Sequence, residues 1–153
     1  MLHIPIMITT IGNIMRKNVE TIEELVSIQE AAKKIKDKNV SSLIVVDGDA
    51  KPQGIITGRD LVRKMCINNV PISTVTNKEI MASLFTIDTK SSPSEATDIM
   101  LQQNVTHLLV IDKKNDANKP AGIVNPLEFT RYEKDTYNDD DTDPIEKILE
   151  YHV

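Results

Sequence analysis

Residues 54–60 have the sequence Gly-Ile-Ile-Thr-Gly-Arg-Asp, and this stretch marks the point where an apolar run turns polar. The apolar part ends in β-branched residues typical of a strand, and the residues from Asp60 to Asn68 have the apolar spacing of a helix. The Thr57 hydroxyl and the Asp60 carboxylate therefore lie three residues apart where a strand meets a helix. Two interpretations are open: Asp60 caps the helix, or the helix end and its polar residues bind an anionic ligand.

The pattern around this stretch occurs twice in the chain. Residues 39–47 (Asn-Val-Ser-Ser-Leu-Ile-Val-Val-Asp) are matched 65 positions later by residues 104–112 (Asn-Val-Thr-His-Leu-Leu-Val-Ile-Asp). Residues 122–128 (Gly-Ile-Val-Asn-Pro-Leu-Glu) follow residues 54–60 by 68 positions, because a longer loop precedes them. Each copy alone is too small to bury a good core. Two copies are therefore expected to pack into one domain about a pseudo-twofold axis.

The same signals place the other elements. Ser27 is expected to open a helix in a capping box with Glu30, and Asn39 to end it. The strand at residues 41–46 has too few polar residues for a wet face, so both of its faces are expected to be buried. The predicted domains are a first repeat with its N-terminal segment at 1–69, a second repeat at 70–132, and an acidic loop with a C-terminal helix at 133–153. The repeat pattern stops at Arg131, and a strand is expected within residues 1–10.

Composition excludes several classes of function. The 153 residues carry a net charge of −5 and only 3% aromatic residues, which weighs against nucleic-acid binding. The single cysteine, Cys66, suits a reducing cytosol and is expected to be buried on a helix. The apolar start is too short for a membrane span and lacks the features of a signal peptide. A cytoplasmic protein without a membrane segment is expected.

No chemistry-bearing set of residues indicates an enzyme or a metal site. The three histidines, His3, His107 and His152, are scattered, and no nucleophile is paired with a base. The acidic residues at 139–143 lack the spacing of a calcium-binding loop, and no glycine-rich phosphate loop is present. We therefore predict no catalytic residues, no metal and no enzymatic activity.

The order of these blocks resembles a tandem pair of cystathionine-β-synthase-type (CBS) domains, a Bateman module, over residues 5–132. The resemblance implies an α+β fold of two β-α-β-β-α repeats, here followed by a C-terminal helix. It further implies a regulatory role without a cofactor, in which an adenosine-containing ligand (AMP, ADP, ATP or S-adenosylmethionine) binds between the copies. A disc-shaped homodimer and an unidentified regulated partner protein are also implied.

By the same resemblance, the motif Gly-h-h-Thr/Ser-x-x-Asp (h, apolar) falls on residues 54–60. Asp60 would accept hydrogen bonds from ribose hydroxyls, Thr57 would contact ribose or phosphate, and Arg59 would meet phosphate. The second copy would supply the adenine half of the site, through the entry to its first helix and the start of its strand. His107 lies beside that half and is expected to be partly buried with its hydrogen bonds satisfied. The implied ligand-binding residues are Thr57, Arg59, Asp60, Ser91, Ala96, Val105, Thr106 and His107.

The second copy departs from the motif, with Asn125 in place of the Thr and Glu128 in place of the Asp. Glutamate is one methylene longer, which moves its carboxylate by about 1.5 Å. The matching second site is therefore expected to be weaker, empty or tuned to another ligand. Its implied residues are Val26, Ala31, Val40, Ser41, Asn125 and Glu128.

Two alternative functions stay open. The tandem fold can serve as a dimerisation and protein-interaction platform without a ligand, with Asp60 acting only as a cap. Nucleic-acid binding is a third hypothesis, against which the acidity and the few aromatic residues weigh.

Overall fold

The computed structural model describes residues 8–136, without the side chains of residues 67–68 and 117–118. Its elements in chain order are α1 (Ile11–Ile14), β1 (Thr21–Glu23), α2 (Ile28–Lys38), β2 (Ser42–Val46), β3 (Pro52–Thr57), α3 (Gly58–Asn68), α4 (Asn77–Ile80), β4 (Thr86–Asp88), α5 (Pro93–Gln103), β5 (Leu108–Asp112), β6 (Asp116–Val124) and α6 (Pro126–Thr136). The predicted C-terminal helix and most of the predicted N-terminal strand lie outside the described residues. Residues 8–10 carry no strand.

The predicted internal repeat is visible as two sheets of the same topology. In the first sheet β1 runs parallel to β2, and β2 pairs antiparallel with β3. In the second sheet β4, β5 and β6 repeat this arrangement. The two sheets pack through their apolar faces, because Ile44 and Ile55 form one buried cluster with Leu109 and Ile123. The predicted α+β fold of two packed repeats is confirmed.

The helix ends follow the sequence signals with one exception. The Ser27 side chain accepts a hydrogen bond from the Glu30 backbone N–H, and Asn39 ends α2 with a left-handed φ of 51°. The reciprocal half of the predicted capping box is not formed, because the Glu30 carboxylate pairs with Lys33 at 3.2 Å. Residues 42–45 are buried, which confirms the prediction of a strand without a wet face.

The short helix that opens each repeat packs on the other repeat. Ile11 and Ile14 of α1 belong to the core cluster of the second repeat. Ile80 of α4 belongs to the core cluster of the first repeat. The residue two positions after each short helix forms an isolated antiparallel β-bridge with the last strand of the other repeat. Arg16 pairs with Ile123 of β6, and Ala82 pairs with Ile55 of β3. This exchange ties the two repeats together and brings residues 82–83 beside β3.

Each exchange requires a glycine at the start of the motif. A Cβ atom on Gly54 would lie 2.6 Å from Met81 Sδ and 2.9 Å from the Ala82 carbonyl oxygen. A Cβ atom on Gly122 would lie 2.5 Å from Met15 Sδ and 2.8 Å from the Arg16 carbonyl oxygen. Both glycines therefore permit the close backbone approach by which one repeat receives the segment of the other.

Two other expectations are wrong. Residues 133–136, which the sequence assigns to the acidic loop, are helical: α6 continues to Thr136, because Tyr132 packs on the second core and its hydroxyl lies 3.3 Å from the Thr9 hydroxyl. Cys66 is exposed and not buried, since α3 turns Leu61 and Met65 towards the core instead. Within residues 8–136, no helix is both long and apolar enough to cross a membrane.

Candidate ligand-binding clefts

A cleft of about 150 Å³, called here the first cleft, lies between the two repeats beside the start of α3. Residues of the first repeat, of the segment after α4 and of the strand entry in the second repeat line it together. They are Ile55, Thr57, Arg59, Asp60, Arg63, Ala82, Ser83, Asn104, Val105, Thr106 and His107. The cleft thus joins the two halves of the chain that the repeat had suggested to be partners.

Thr57 and Asp60 form a capping box at the N-terminus of α3. The Thr57 backbone N–H and hydroxyl donate to Asp60 Oδ2 at 3.1 and 2.9 Å, and the Asp60 N–H donates to Thr57 Oγ1 at 3.2 Å. Both bonds to the carboxylate use the same oxygen. Among residues 8–136, Oδ1 accepts no hydrogen bond, and Asp60 is only half-buried. The cap therefore leaves one carboxylate oxygen for a ligand in the cleft.

Two arginines give the rim of the first cleft a positive charge. Arg59 and Arg63 are four residues apart on α3, which places them on one side of the helix, and both are exposed. The ion pairs among residues 8–136 involve other cations and leave both arginines without a carboxylate partner. The two positive charges of the arginines exceed the single negative charge of Asp60, and this balance favours an anionic ligand. Arg63 is not among the site residues predicted from the sequence, although its spacing of four residues from Arg59 was a usable signal.

The second repeat contributes the turn that leaves α5. Asn104 ends this helix with a left-handed φ of 52°, and the Val105 N–H donates to the Met100 carbonyl at 3.0 Å. This turn directs residues 105–107 into the first cleft before β5 begins. Val105 is half-buried against the second core, and Thr106 is exposed. The cleft therefore has an apolar wall next to a hydroxyl.

His107 has hydrogen-bond partners at both ring nitrogens. Its Nδ1 lies 2.8 Å from Thr106 Oγ1, and its Nε2 lies 2.9 Å from Ser41 Oγ of the other repeat. Burial lowers the pKa of His107 below its ordinary value, and the nearby Asp60 carboxylate opposes this shift. The imidazole is therefore neutral at physiological pH. The expectation of a partly buried and satisfied histidine is confirmed.

Two of the residues predicted for this site lie elsewhere. Ala96 is fully buried inside the second core, where α5 packs on its sheet. Ser91 precedes α5, and its carbonyl accepts a hydrogen bond from the Ile11 N–H at 2.8 Å. Ala82 and Ser83, which do line the cleft, carried no signal in the sequence. Their place depends on the exchange of α4 between the repeats, and local patterns do not report such an exchange.

The pseudo-symmetric position holds a much smaller cavity of about 20 Å³, the second cleft. Its lining residues are Arg16, Asn18, Val19, Glu20, Val40, Ser41, Ser42, Ile44, Ile123, Asn125 and Glu128. Of the six residues predicted here, Val26 and Ala31 belong to the first core instead, and Ala31 is fully buried. A cavity of this size has room for about one water molecule.

Asn125 and Glu128 fill the second cleft. Both are at least nine-tenths buried, and the Asn125 side-chain amide donates to Ser41 Oγ of the other repeat at 3.3 Å. Glu128 Oε1 lies 3.4 Å from an Arg131 guanidinium nitrogen. The second motif thus places two buried polar side chains beside a cavity much smaller than the first cleft. Within the described part of the chain, no group of three His, Cys, Asp or Glu side chains is placed to hold a metal ion.

Comparison with known proteins gives this geometry a context. The family model described as the CBS domain matches residues 11–66 and 75–135. An uncharacterised 17.7 kDa protein of Acidianus ambivalens is 31% identical over 142 residues, which cover 93% of this chain and 84% of that protein. The chain spans smaller shares of three other curated relatives, namely 62%, 32% and 23% of their lengths. The relative with the 23% share is inosine-5'-monophosphate dehydrogenase of Nitrosopumilus maritimus, so the match lies in one part of that enzyme.

Solved structures show the same tandem fold. The CBS domain pair of protein MJ0100, in complex with 5'-methylthioadenosine and S-adenosyl-L-methionine, is 28% identical with a TM-score of 0.72, and the match covers 84% of this chain and 98% of that one. A CBS domain protein of Pyrobaculum aerophilum complexed with AMP shares the fold at 16% identity and a TM-score of 0.70, over 78% of this chain and 89% of that one. With both repeats matched by the family model, the chain belongs to the CBS domain family and carries two CBS domains in tandem.

Proposed function

We propose that this chain is a regulatory module that binds one adenosine-containing ligand in the first cleft. The observation that carries the proposal is the meeting of the Thr57–Asp60 pair with the 105–107 turn of the other repeat in one cavity. The related CBS domain pair at 28% identity was solved with two adenosine-containing ligands, which supports the same ligand class for this chain.

The polar groups of the first cleft suit the parts of such a ligand. Asp60 Oδ1 is available to accept hydrogen bonds from ribose hydroxyls, because the helix cap uses only Oδ2. Val105 and Ile55 provide apolar surface for a purine ring, and Thr106 provides a polar group at its edge. The exposed Arg59 and Arg63 can pair with phosphate outside the enclosed volume. Their charge favours AMP, ADP or ATP within the ligand class.

Regulation would follow from the position of the ligand between the repeats. A ligand that contacts both repeats binds best to one relative arrangement of them, and its differential affinity sets how far the population shifts. A partner protein that contacts both repeats would then sense the ligand. No reaction is part of this proposal.

Calorimetric titration of the full chain with AMP, ADP, ATP, S-adenosylmethionine and 5'-methylthioadenosine tests the proposal. We expect at least one of these ligands to bind with one molecule per chain, since the second cleft of about 20 Å³ has room for about one water molecule. A bound ligand should also raise the melting temperature, and the rise should continue with the logarithm of the ligand concentration above the dissociation constant. If none of the five binds at millimolar concentration, the interaction platform without a ligand becomes the better interpretation. Two molecules per chain would contradict the closed second cleft.

The homodimer implied by the family resemblance stays a prediction. α3 and α6 each carry an exposed large apolar residue, Val62 at 63% and Leu127 at 53% exposure. These side chains would be covered if the two helices contacted a second copy. Light scattering of the full chain measures the mass directly, and a monomer at all concentrations would rule the dimer out.

A further inference from the structure

A line of hydrogen bonds connects the second cleft with the first. The Asn125 side-chain amide donates to Ser41 Oγ at 3.3 Å, Ser41 Oγ lies 2.9 Å from His107 Nε2, and His107 Nδ1 lies 2.8 Å from Thr106 Oγ1. Asn125 and Ser41 line the second cleft, whereas His107 and Thr106 line the first. This chain of hydrogen bonds passes from the second repeat to the first and back again. We call Asn125, Ser41, His107 and Thr106 together the polar relay.

One end of the polar relay has a fixed direction. Asn125 Oδ1 accepts the backbone N–H groups of Leu127 and Glu128 at 2.9 and 3.2 Å, as an N-cap of α6 does. These two donors require the oxygen on that side of the amide. The nitrogen of Asn125 therefore faces Ser41, and it can only donate a hydrogen bond there.

The remaining hydrogens have two possible arrangements. In the first, the Ser41 hydroxyl donates to His107 Nε2, and the hydrogen on Nδ1 is donated to Thr106 Oγ1. In the second, His107 carries its hydrogen on Nε2, so that Ser41 accepts two bonds and Thr106 donates to Nδ1. Only in the first arrangement does each hydroxyl accept one hydrogen bond and keep its own hydrogen to donate to the next group. Hydrogen bonds that run in one direction in this way polarise and strengthen one another.

We propose that Asn125 is a positioning residue that holds His107 in the tautomer with hydrogen on Nδ1 and thereby leaves the Thr106 hydroxyl free to donate into the first cleft. Asn125 stands at the position that Thr57 holds in the first repeat. Asn125, where the second motif departs from the first, would thus make the Thr106 hydroxyl a hydrogen-bond donor in the first cleft. A ligand atom that accepts hydrogen bonds, such as a ring nitrogen, would be its partner. The tautomer stands on the contacts alone, whereas its effect on a ligand rests on the proposed function.

The substitution Asn125→Asp reverses the direction of the polar relay with almost no change of shape. Aspartate caps a helix as well as asparagine does. Its second oxygen faces Ser41 as an acceptor and takes the Ser41 hydrogen. Ser41 can then only accept from His107, so the ring hydrogen must move from Nδ1 to Nε2, and Thr106 donates its hydrogen to Nδ1. The hydrogen count of the neutral ring is unchanged.

Nitrogen-15 spectra of histidine-labelled full chain distinguish the two tautomers. The spectra are recorded without ligand at about pH 8, where an ordinary imidazole is neutral, and His107→Gln identifies the His107 signals. We expect hydrogen on Nδ1 in the wild type and on Nε2 in Asn125→Asp. The matched control is Asn18→Asp, which adds the same charge at another residue of the second cleft and should keep the wild-type tautomer.

Hydrogen on Nε2 in the wild type would overturn the proposal, and this result needs no variant to fold. The same tautomer in the wild type and in Asn125→Asp, or a change in Asn18→Asp as well, would also overturn it. With AMP as the probe, Asn125→Asp should weaken binding by roughly tenfold, the effect of losing one hydrogen bond, and Asn18→Asp should not. If the tautomers are as expected but wild type binds no AMP, the tautomer assignment stands and the proposed effect on AMP fails.

Discussion

Replacing Asp60 with asparagine is expected to weaken the binding of a ribose-containing ligand by about 100-fold. The amide oxygen of asparagine can still accept from the Thr57 N–H and hydroxyl, so the cap of α3 is kept. The other position then carries an amide nitrogen, which cannot accept hydrogen bonds from ribose hydroxyls. Each hydrogen bond to a charged group contributes about 1.5–3 kcal/mol, so two of them correspond to a factor of at least about 100.

Calorimetry with the best ligand of the panel measures this loss, and the ligand itself offers a control. An analogue without the 2'- and 3'-hydroxyl groups should bind wild type and Asp60→Asn with the same affinity, because it has nothing to donate to the carboxylate. If the analogue shows the same loss as the parent ligand, the substitution has altered the cleft as a whole, and the ribose contact is not supported.

Glu79 provides a matched control in the protein. It forms the capping box of α4, where its Oε2 accepts the Thr76 N–H and hydroxyl at 2.7 and 3.0 Å. These bonds lower the pKa of the Glu79 carboxyl below its ordinary value. Glu79 does not line the first cleft. We therefore expect Glu79→Gln to leave ligand affinity unchanged. Unchanged affinity in Asp60→Asn would mean that Asp60 serves only as a cap.

The sequence allowed the strand-to-helix junction at residues 54–60 to be predicted because its signals are local. Apolar β-branched residues, a hydroxyl and a carboxylate three positions later specify a strand, an N-cap and a first helical turn. Even here the roles within the cap differ from the simplest expectation. Thr57 is the N-cap residue, and Asp60 is the third residue of the helix, which accepts bonds back from Thr57.

The parts that could not be predicted depend on contacts between distant segments. Ala82 and Ser83 line the first cleft only because α4 crosses to the other repeat. The closure of the second cleft depends on a bond between Asn125 and Ser41, which are 84 positions apart. The sequence showed that Asn125 and Glu128 depart from the motif. It did not decide whether the second site is weaker, empty or tuned to another ligand. Burial of both side chains favours a closed cleft.

The exchange of segments also explains why a side chain at Gly54 requires the surrounding structure to shift. Its added Cβ would lie 2.6 Å from Met81 Sδ, which can move, and 2.9 Å from the Ala82 carbonyl oxygen, which is backbone. The Ala82 backbone is held by two hydrogen bonds with Ile55, at 2.8 and 3.1 Å. Relieving the contact therefore requires either the bridge between the repeats to break or β3 to shift. Such overpacking typically costs about 1–3 kcal/mol.

We expect Gly54→Ala to lower the free energy of unfolding by about 1–3 kcal/mol in urea denaturation. Gly122→Ala should behave alike, because its Cβ would meet Met15 and the Arg16 carbonyl in the same way. Gly48→Ala and Gly58→Ala are the matched controls, since an added Cβ meets nothing within 4 Å at either position. These controls should be neutral or slightly stabilising, as alanine restricts the unfolded chain. A Gly54→Ala protein as stable as the controls would show that the exchanged segment yields easily, and the bridge at Ala82 would then contribute little to holding the first cleft together.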